Sequence, residues 1–458
     1  MRPETARPPG PSAPALVQTW SWLRWGSWLE ALERYQRRYG DVFRVEILGP
    51  RYRRDRGRWP LTRRTWVVYS APDHIREIFA LTGDVLRAGE ALEPLECFLG
   101  PRSLIVLDGA EHRDERREVL AIFSADRLAR LEQSVALAAA RAVDRWAPGS
   151  GIDVWKLIER TVEEVNLAMA LARRPDEAGR LRSLGHRARR AFALRLFVRT
   201  VFRARLEPGR ETDEGRQALR DLVIRRLDET RALTHATGTS LLDMLLEDTP
   251  APTDADLDTV VERLITLGAG MENAIAAVAW TCLHLLRNPE ALERVCAEVR
   301  GGAPHVVPGP ESYLEAACKE SLRLHPPFPF VIRRVAQPVS IGGFELAPDT
   351  FVVASLYLMH RRRELFPEPE AFRPERFLGQ AGHPDAYLPF GAGARRCLGH
   401  PFAVRQVRAV LAEIFRRFDV ELEGAASVRV ARRTITLVPA TGVARVTLRP
   451  HAGATATV

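Results

Sequence analysis

Apolar residues recur every three or four positions through most of this chain, which is the spacing of one helix face. The pattern predicts helices over residues 71–81 and 110–123, and helices with polar breaks between them over residues 128–249. The longest run covers Asp254 to about Arg287. A further amphipathic run, residues 398–418, comes near the end of the chain. Helix is therefore the dominant predicted element.

Shorter stretches rich in β-branched and aromatic residues predict a smaller β component. Residues 39–47 and 65–69 are typical of two strands of a hairpin. The remaining strands are predicted at residues 328–332, 339–341, 344–346 and 351–354, with a last hairpin at 433–443. The predicted fold class is mainly α (α+β), a large helical domain with small β-sheets.

The N-terminal residues differ in composition from the rest of the chain. Residues 1–14 are Pro-rich and are predicted to be disordered or extended, and Trp20, Trp22, Trp25 and Trp28 follow. We favour an amphipathic helix packed on the body for this Trp-rich stretch, with a membrane-surface helix as the alternative. No apolar run approaches the ~20 residues that span a bilayer, so no transmembrane segment is predicted. The predicted division is 1–38, tail and Trp-rich helix, and 39–458, a single domain.

Composition and charge narrow the classes of function. The five cysteines are irregularly spaced, which is not typical of a disulfide framework and favours a reducing, cytoplasmic location. The net charge of +9 would suit an acidic partner. No nucleic-acid-binding module accompanies that charge, so no nucleic-acid partner is predicted.

One ten-residue stretch carries candidate chemistry. Residues Phe390 to Gly399 read Phe-Gly-Ala-Gly-Ala-Arg-Arg-Cys-Leu-Gly, and the amphipathic run of residues 398–418 follows. A helix N-terminus favours a thiolate, and a thiolate is an axial ligand of haem iron. Glycines here would let the backbone pass close to a flat macrocycle, and Arg395 is placed to meet an anionic propionate. The alternative is a buried structural cysteine beside a Gly-rich turn.

Five positions of this stretch match the motif Phe-x-x-Gly-x-Arg-x-Cys-x-Gly, and the chain resembles the cytochrome P-450 (haem-thiolate) superfamily over residues 39–446. The resemblance implies the cytochrome P-450 fold, with haem b (heme, protoporphyrin IX iron) buried between a long central helix and the cysteine-loop helix. It makes Cys397 the iron ligand. The further cofactor contacts that it implies in this loop are Phe390, Gly391, Arg395 and Gly399.

Basic residues elsewhere also resemble haem contacts of that family. His112 and Arg116 are four residues apart in a predicted helix and therefore share a face. In a charge-rich helix this spacing alone indicates little, but it resembles the His-x-x-x-Arg pair that binds a haem propionate. Arg334, just before a strand-rich segment, resembles a third propionate-binding residue.

Glycines interrupt the centre of the longest helical run, at Gly268-Ala-Gly-Met-Glu-Asn273. Each central glycine costs about 1 kcal/mol relative to alanine, so a specific role is expected. The sequence is similar to the family's oxygen-binding groove, Ala/Gly-Gly-x-Asp/Glu-Thr, at Ala269, Gly270 and Glu272. A close helix–helix crossing at small residues is the alternative.

Asn273 departs from the family pattern, which usually has threonine at this place. That hydroxyl helps to hold the water that delivers protons during oxygen activation. An amide donates and accepts hydrogen bonds but is not a comparable relay, so Asn273 is predicted either to hold a water or to bind substrate. Glu272 is the candidate acid of the relay, with an ion-paired helix glutamate as its alternative. These two residues are the predicted catalytic groups.

A second family resemblance concerns structure. Glu320 and Arg323 match its Glu-x-x-Arg motif, and Arg376 in Pro-Glu-Arg-Phe is the expected third member. Glu-x-x-Arg alone is common in helices and is therefore weak evidence. It becomes informative here because Arg376 and Cys397 follow it in the order expected of the family. The triad is predicted to stabilise the region around the haem.

The resemblance implies a monooxygenase that inserts one oxygen atom from O2 into an apolar small molecule, by hydroxylation or epoxidation, in secondary metabolism. Electrons would come from a separate ferredoxin or flavodoxin. By their position in the chain, residues 191–202 resemble the family's mobile lid over the substrate pocket. The predicted docking residues for the redox partner are Arg395, Arg396, Arg405 and Arg408. Two alternatives stay open: a peroxide-dependent or rearranging haem-thiolate enzyme, and a non-catalytic haem- or ligand-binding protein.

Overall fold

The structure is a computed structural model of the chain. It describes residues 7–23, 28–50, 61–81, 83–171, 183, 210–232, 240–248, 253–302, 307, 309–379, 386–424, 429–433, 436–440 and 444–451. The predicted lid, residues 191–202, lies outside the described residues.

Helices make up most of the described chain, as the sequence pattern predicts. Those before residue 250 are α1 (Ala15–Leu23), α2 (Trp28–Tyr39), α3 (Pro72–Ala80), α4 (Ala88–Ala91), α5 (Glu96–Leu99), α6 (Gly109–Ala121), α7 (Ala125–Asp144), α8 (Val154–Ala170), α9 (Arg210–Ala232) and α10 (Leu241–Glu247). Those after it are α11 (Asp254–Gly268), α12 (Met271–Leu286), α13 (Pro289–Gly301), α14 (Tyr313–Leu324), α15 (Leu356–Met359) and α16 (His400–Arg417).

The strands of the described residues form one larger sheet and three small ones. They are β1 (Val42–Pro50), β2 (Leu61–Tyr69), β3 (Leu86–Arg87), β4 (Gly149–Asp153), β5 (Phe330–Val335), β6 (Val339–Ile341), β7 (Phe344–Leu346), β8 (Phe351–Ser355), β9 (Phe418–Glu423), β10 (Val430–Arg433), β11 (Thr436–Pro439) and β12 (Arg445–Pro450). The larger sheet has the order β1-β2-β8-β5-β3, and the others are β4-β12-β9, β6-β7 and β10-β11. The predicted small-sheet component is confirmed.

The long predicted helix is present but broken in its middle. The N–H of Ala269 donates to the carbonyls of Ile265 at 3.0 Å and Thr266 at 3.2 Å, and Gly270 donates to Leu267 at 3.2 Å. This tightening to i→i+3 bonds separates α11 from α12 at Ala269 and Gly270.

Helix α12 lies at the centre of the helical core. It packs against α8, α14, α16 and β11, and its residues from Ile275 to Cys282 are all buried. Within the described residues, the run Asp254–Leu286 alone has the length and apolar composition of a membrane span. Its packing identifies it as the core helix of a folded domain.

The predicted triad is formed, and it is buried. Glu320 and Arg323 on α14 are fully inaccessible to solvent and pair through two contacts of 2.7 and 2.9 Å. Arg376 reaches the same carboxylate at 3.2 Å, and the N–H of Arg373 donates to it at 3.0 Å. The carbonyl of His360 accepts from Arg323 at 2.8 Å. Each charge therefore has the further partners that a buried pair needs.

The N-terminal helices pack on the edge of the larger sheet. Leu29 and Leu32 of α2 are buried in one apolar cluster with Phe43 and Val45 of β1. The described residues from Pro8 onward also follow this edge, since the Pro9 carbonyl accepts from the Arg44 N–H at 2.7 Å. Residues 1–14 were predicted to be either disordered or extended, and the described ones from Pro8 onward are extended along this strand. The division of the chain after residue 38 stays a prediction.

Candidate active site

The cysteine loop is a tight turn that leads into α16. The Cys397 N–H donates to the Phe390 carbonyl at 3.0 Å, and the Arg396 N–H donates to the Gly393 carbonyl at 3.1 Å. Gly391 and Gly393 have φ values of +66° and +65°, which only glycine adopts without strain. A β-carbon on Gly393 would also lie 2.7 Å from the Phe79 carbonyl oxygen. The turn itself and its packing on α3 require these two glycines, and their approach to a macrocycle stays a prediction.

The surroundings of Cys397 favour a sulfur that becomes a thiolate when it binds a metal ion. Burial raises the pKa of the Cys397 thiol, while the N–H groups of Gly399 and His400 at the start of α16, and the charge of Arg116, lower it. Burial is the largest of these effects, although solvent can still reach the side chain. A free thiol here would stay protonated at neutral pH. Coordination deprotonates a thiol outright, and the N–H groups then stabilise the anion.

A cluster of basic side chains lies beside this loop. Arg395 donates to the Leu104 carbonyl at 3.1 Å and pairs with Asp108 at 2.6 Å. Arg116 on α6 donates to the Arg396 carbonyl at 2.8 Å, which ties α6 to the loop.

His112 lies one turn before Arg116 on α6 and is buried. Burial, and then the charges of Arg395 and Arg116, lowers the pKa of His112 to about 3. The imidazole is therefore neutral at physiological pH and acts as a hydrogen-bonding group, not as a cation.

Strand β5 contributes Arg333 to this region, and not the predicted Arg334. Arg334 is turned the other way and forms ion pairs with Glu90 and Asp349. Arg333 is buried, and burial followed by the charge of Arg395 lowers the pKa of Arg333 to about 10. The two-residue period of a strand points these neighbouring side chains to opposite faces. The haem contact of Arg334 stays a prediction, and Arg333 is the residue of β5 whose side chain lies near Arg395.

We call His112, Arg116, Arg333 and Arg395 the basic cluster. Among the described residues, Asp108 is the carboxylate that pairs with it, and that carboxylate also accepts three N–H bonds from α4. Arg333 forms no ion pair within the described part of the chain, and its one hydrogen bond goes to the Ile332 carbonyl at 2.8 Å. Buried cations need anionic partners, so this arrangement fits the carboxylates of a haem.

The helix break brings small residues and two polar side chains together at residues 269–273. Ala269 is partly buried and Gly270 is exposed. Because their side chains are only a methyl group and a hydrogen atom, neither fills the space beside the helix break. Glu272 pairs with Arg433 of β10 at 2.7 Å, and the same guanidinium contacts Glu159 of α8. The structure therefore places Glu272 in an ion-paired network, which was its alternative reading.

Asn273 is held by a residue that the sequence did not indicate. The hydroxyl of Thr436 donates to the Asn273 side-chain oxygen at 2.8 Å, and Thr436 is itself buried at the start of β11. This bond fixes the amide plane and leaves the NH2 group to donate elsewhere. No local pattern in the sequence connects the two positions.

Two of the four predicted docking arginines are not on the surface. Arg395 is half-buried in the basic cluster, and Arg408 is buried and pairs with Glu315 at 3.2 Å. Arg396 is exposed, and Arg405 is partly exposed beside Glu132. Arg405 and Arg408 are three residues apart and lie on neighbouring parts of α16, and Arg408 is the buried one because α14 packs over it with Glu315.

Comparisons with known proteins agree on one protein family. A family model described as Cytochrome P450 matches residues 8–442 of the chain. Cytochrome P450 135A1 of Mycobacterium tuberculosis is 32% identical over 447 residues, which are 96% of this chain and 94% of that protein. Cytochrome P450 135B1 of Mycobacterium bovis is 32% identical over 460 residues, 98% of this chain and 93% of that protein.

A solved structure shows the same architecture. The crystal structure of the cytochrome P450DA heme domain superposes with a TM-score of 0.77 at 19% identity, over 98% of this chain and 97% of that one. At that identity the likeness concerns the fold.

The chain belongs to the cytochrome P450 family. It has the predicted cytochrome P-450 fold, and its cofactor is haem, protoporphyrin IX iron. It is an oxidoreductase, a haem-thiolate monooxygenase.

Proposed function

We propose that this enzyme inserts one oxygen atom of O2 into an apolar small molecule, by hydroxylation or epoxidation. The observation that carries the proposal is Cys397 at the start of α16, with a buried basic cluster beside it. Haem bound there would supply the oxygen chemistry, and the Cys397 thiolate would supply electron density to the iron.

Each residue of the site then has a stated task. The Cys397 sulfur binds the iron, and Arg116, Arg333 and Arg395 bind the propionates with neutral His112 as a further donor. Phe390, whose ring meets the His400 ring edge-on at 4.7 Å, fixes the loop, and Gly391 and Gly399 shape it. At the helix break, the small side chain of Ala269 would leave room for the haem and its oxygen ligand.

Protons must reach the oxygen side in a controlled way. Asn273 holds a water there with its free NH2 group, while Thr436 fixes the amide. Glu272, the neighbour of Asn273 in the sequence, is the acid of the relay, and its pairing with Arg433 must loosen before it can transfer a proton. Substrate orientation by Asn273 is the competing role.

Electrons come one at a time from a separate ferredoxin or flavodoxin. Arg396 and Arg405 near the cysteine loop are the remaining cations for an acidic partner, since Arg395 and Arg408 point inward. We place the enzyme in the cytoplasm and in secondary metabolism.

The test uses the purified haem-loaded enzyme and a compound chosen by its spectral shift from a panel of fatty acids, terpenes and polyketides. With a reduced ferredoxin or flavodoxin and 18O2, one 18O atom should enter the product. Turnover by hydrogen peroxide alone, without a redox partner, would replace this proposal with the peroxide-dependent alternative. No product under either condition would favour a non-catalytic haem protein.

Arg333→Ala should weaken haem retention much more than Arg334→Ala. A hydrogen bond to a charged group contributes about 1.5–3 kcal/mol, which is roughly ten- to a hundredfold in affinity. The rate of haem transfer to apomyoglobin measures this directly. Arg334→Ala is the matched control for Arg333→Ala, because each variant removes one arginine from β5. Equal loss from both would mean that Arg333 does not face the propionates.

Thr436→Val should raise the fraction of reducing equivalents lost to hydrogen peroxide, because the Asn273 amide loses the bond that fixes it. The change should be roughly two- to twelvefold, the range of one hydrogen bond. Asn273→Ala should behave in the same way, whereas Thr436→Ser and Asn273→Thr should stay coupled. The substrate's spectral shift separates the two roles of Asn273. Weakened substrate binding in both Asn273 variants, with no rescue by threonine, would assign it to substrate orientation.

A further inference from the structure

A cavity lies between α7 and α16, and the residues that line it differ from those assigned to the haem site. Its volume is about 190 Å³, and its wall is built largely from the apolar side chains of Val135, Ala136, Phe402 and Ala409. In the core of another protein, an apolar cavity of about 150 Å³ binds benzene. This cavity, which we call the α7–α16 cavity, is therefore large enough for a ligand of one ring with a small substituent.

One buried polar side chain also lines the α7–α16 cavity. Gln406 of α16 is only 3% exposed. Its side-chain NH2 group donates to the side-chain oxygen of Asn166 on α8 at 2.6 Å. Within the described part of the chain, the side-chain oxygen of Gln406 accepts no hydrogen bond. A buried acceptor without a partner costs free energy, so this oxygen indicates a donor that comes from a bound molecule.

The hydrogen bonds around Gln406 fix which atom of its amide faces the cavity. The Met271 carbonyl at the start of α12 can only accept, so the Asn166 NH2 group lies towards it, at 3.5 Å. The Asn166 oxygen then faces Gln406 and requires the NH2 group of Gln406 opposite it. Exchanging N and O in Gln406 would set two oxygens against each other. The Gln406 oxygen therefore points away from Asn166 and into the α7–α16 cavity.

The charges at the mouth of the cavity favour a neutral ligand. Arg405 and Glu132 also line it, and they pair with each other at 2.8 Å. Their side chains are 38% and 42% exposed, which places them at the solvent end. Because each neutralises the other, a charged ligand would lose its hydration for little gain. Water is a poor occupant as well, because a buried water typically makes about three hydrogen bonds and the wall near Gln406 is apolar.

We propose that the α7–α16 cavity binds a neutral, mostly apolar small molecule that carries one hydroxyl group, as a ligand additional to the substrate. The apolar body fills the space between Val135 and Phe402, and the hydroxyl donates to the Gln406 side-chain oxygen. Gln406 and Asn166 then connect this ligand to Met271, directly after the helix break. Its binding does not depend on the reaction proposed above.

The probes are 4-fluorobenzyl alcohol and 4-fluorotoluene, which lacks the hydroxyl group, and 19F NMR with the haem-loaded full-length enzyme measures their dissociation constants. We expect saturable binding of the alcohol that persists when an azole inhibitor occupies the haem iron and its cavity. Gln406→Met should weaken binding of the alcohol about two- to twelvefold, the range of one hydrogen bond, because a thioether is only a weak acceptor. The same variant should not weaken binding of 4-fluorotoluene.

Two further variants locate the bound probe. Ala409→Leu and Ala136→Leu add volume from the two walls of the cavity, so each should weaken both probes roughly tenfold or more. Ala129→Leu is the matched control, because Ala129 is exposed on α7 and lies outside the cavity lining. Haem content equal to that of the wild type shows that a variant is folded, and either leucine variant alone is sufficient for the test.

Several results would overturn the proposal. One is the absence of saturable binding of the alcohol to the wild-type enzyme, and another is unchanged binding in the folded leucine variants. Loss of binding in the presence of the azole would place the alcohol in the haem cavity instead. Equal weakening of the alcohol and of 4-fluorotoluene by Gln406→Met would show that the hydroxyl group does not bind Gln406.

Discussion

Glu320→Ala and Arg323→Ala should each yield little soluble, haem-loaded protein. Both side chains are fully buried, and removing one leaves the other charge without its partner in the core. That change typically costs about 3–5 kcal/mol, a large part of the stability of an ordinary domain. The carbonyl of His360 and the N–H of Arg373 would lose a partner as well, so loops on both sides of the triad should loosen.

Haem content per mole of purified protein, together with soluble yield, measures this effect. Arg449→Ala is a suitable control, because Arg449 forms an ion pair with Glu421 in which both side chains are about three-fifths exposed. Exposed pairs contribute about 0–1 kcal/mol, so this variant should resemble the wild type. Normal yield and haem content in both triad variants would contradict the structural role.

Cys397→Ala should remove thiolate ligation completely. Cys282 and Cys318 are buried in the helical core, Cys97 and Cys296 are partly buried in α5 and α13, and none of these four belongs to the cysteine loop. Burial raises the pKa of Cys282 to about 12, and it also raises the pKa of Cys318. Cys296→Ala, which changes a partly buried cysteine of α13, is the matched control and should keep the wild-type spectrum.

Local motifs in the sequence predicted the parts of the site that are built locally. The cysteine loop and the Glu320–Arg323 pair lie within single turns or helices, so their spacing alone brings them together. The small residues from Gly268 to Gly270 are likewise adjacent in sequence, although the helix break that they form was not predicted. These features need no knowledge of distant residues.

The parts that were missed depend on tertiary packing. Thr436 and Asn273 are 163 residues apart and meet only because β11 packs along α12. Arg333 and Arg334 are adjacent and chemically identical. Only the orientation of β5 in its sheet decides which of the two side chains lies near the basic cluster. Arg408 looks like any basic residue in an amphipathic helix until α14 supplies Glu315.

The central claim is that Cys397 supplies the iron ligand, and the carbon monoxide difference spectrum of the reduced wild-type enzyme tests it most directly. We predict the red-shifted Soret band of thiolate ligation, present in the wild type and in Cys296→Ala and absent in Cys397→Ala. A histidine-like spectrum in the intact wild-type enzyme would contradict the assignment of Cys397 and the reaction built on it.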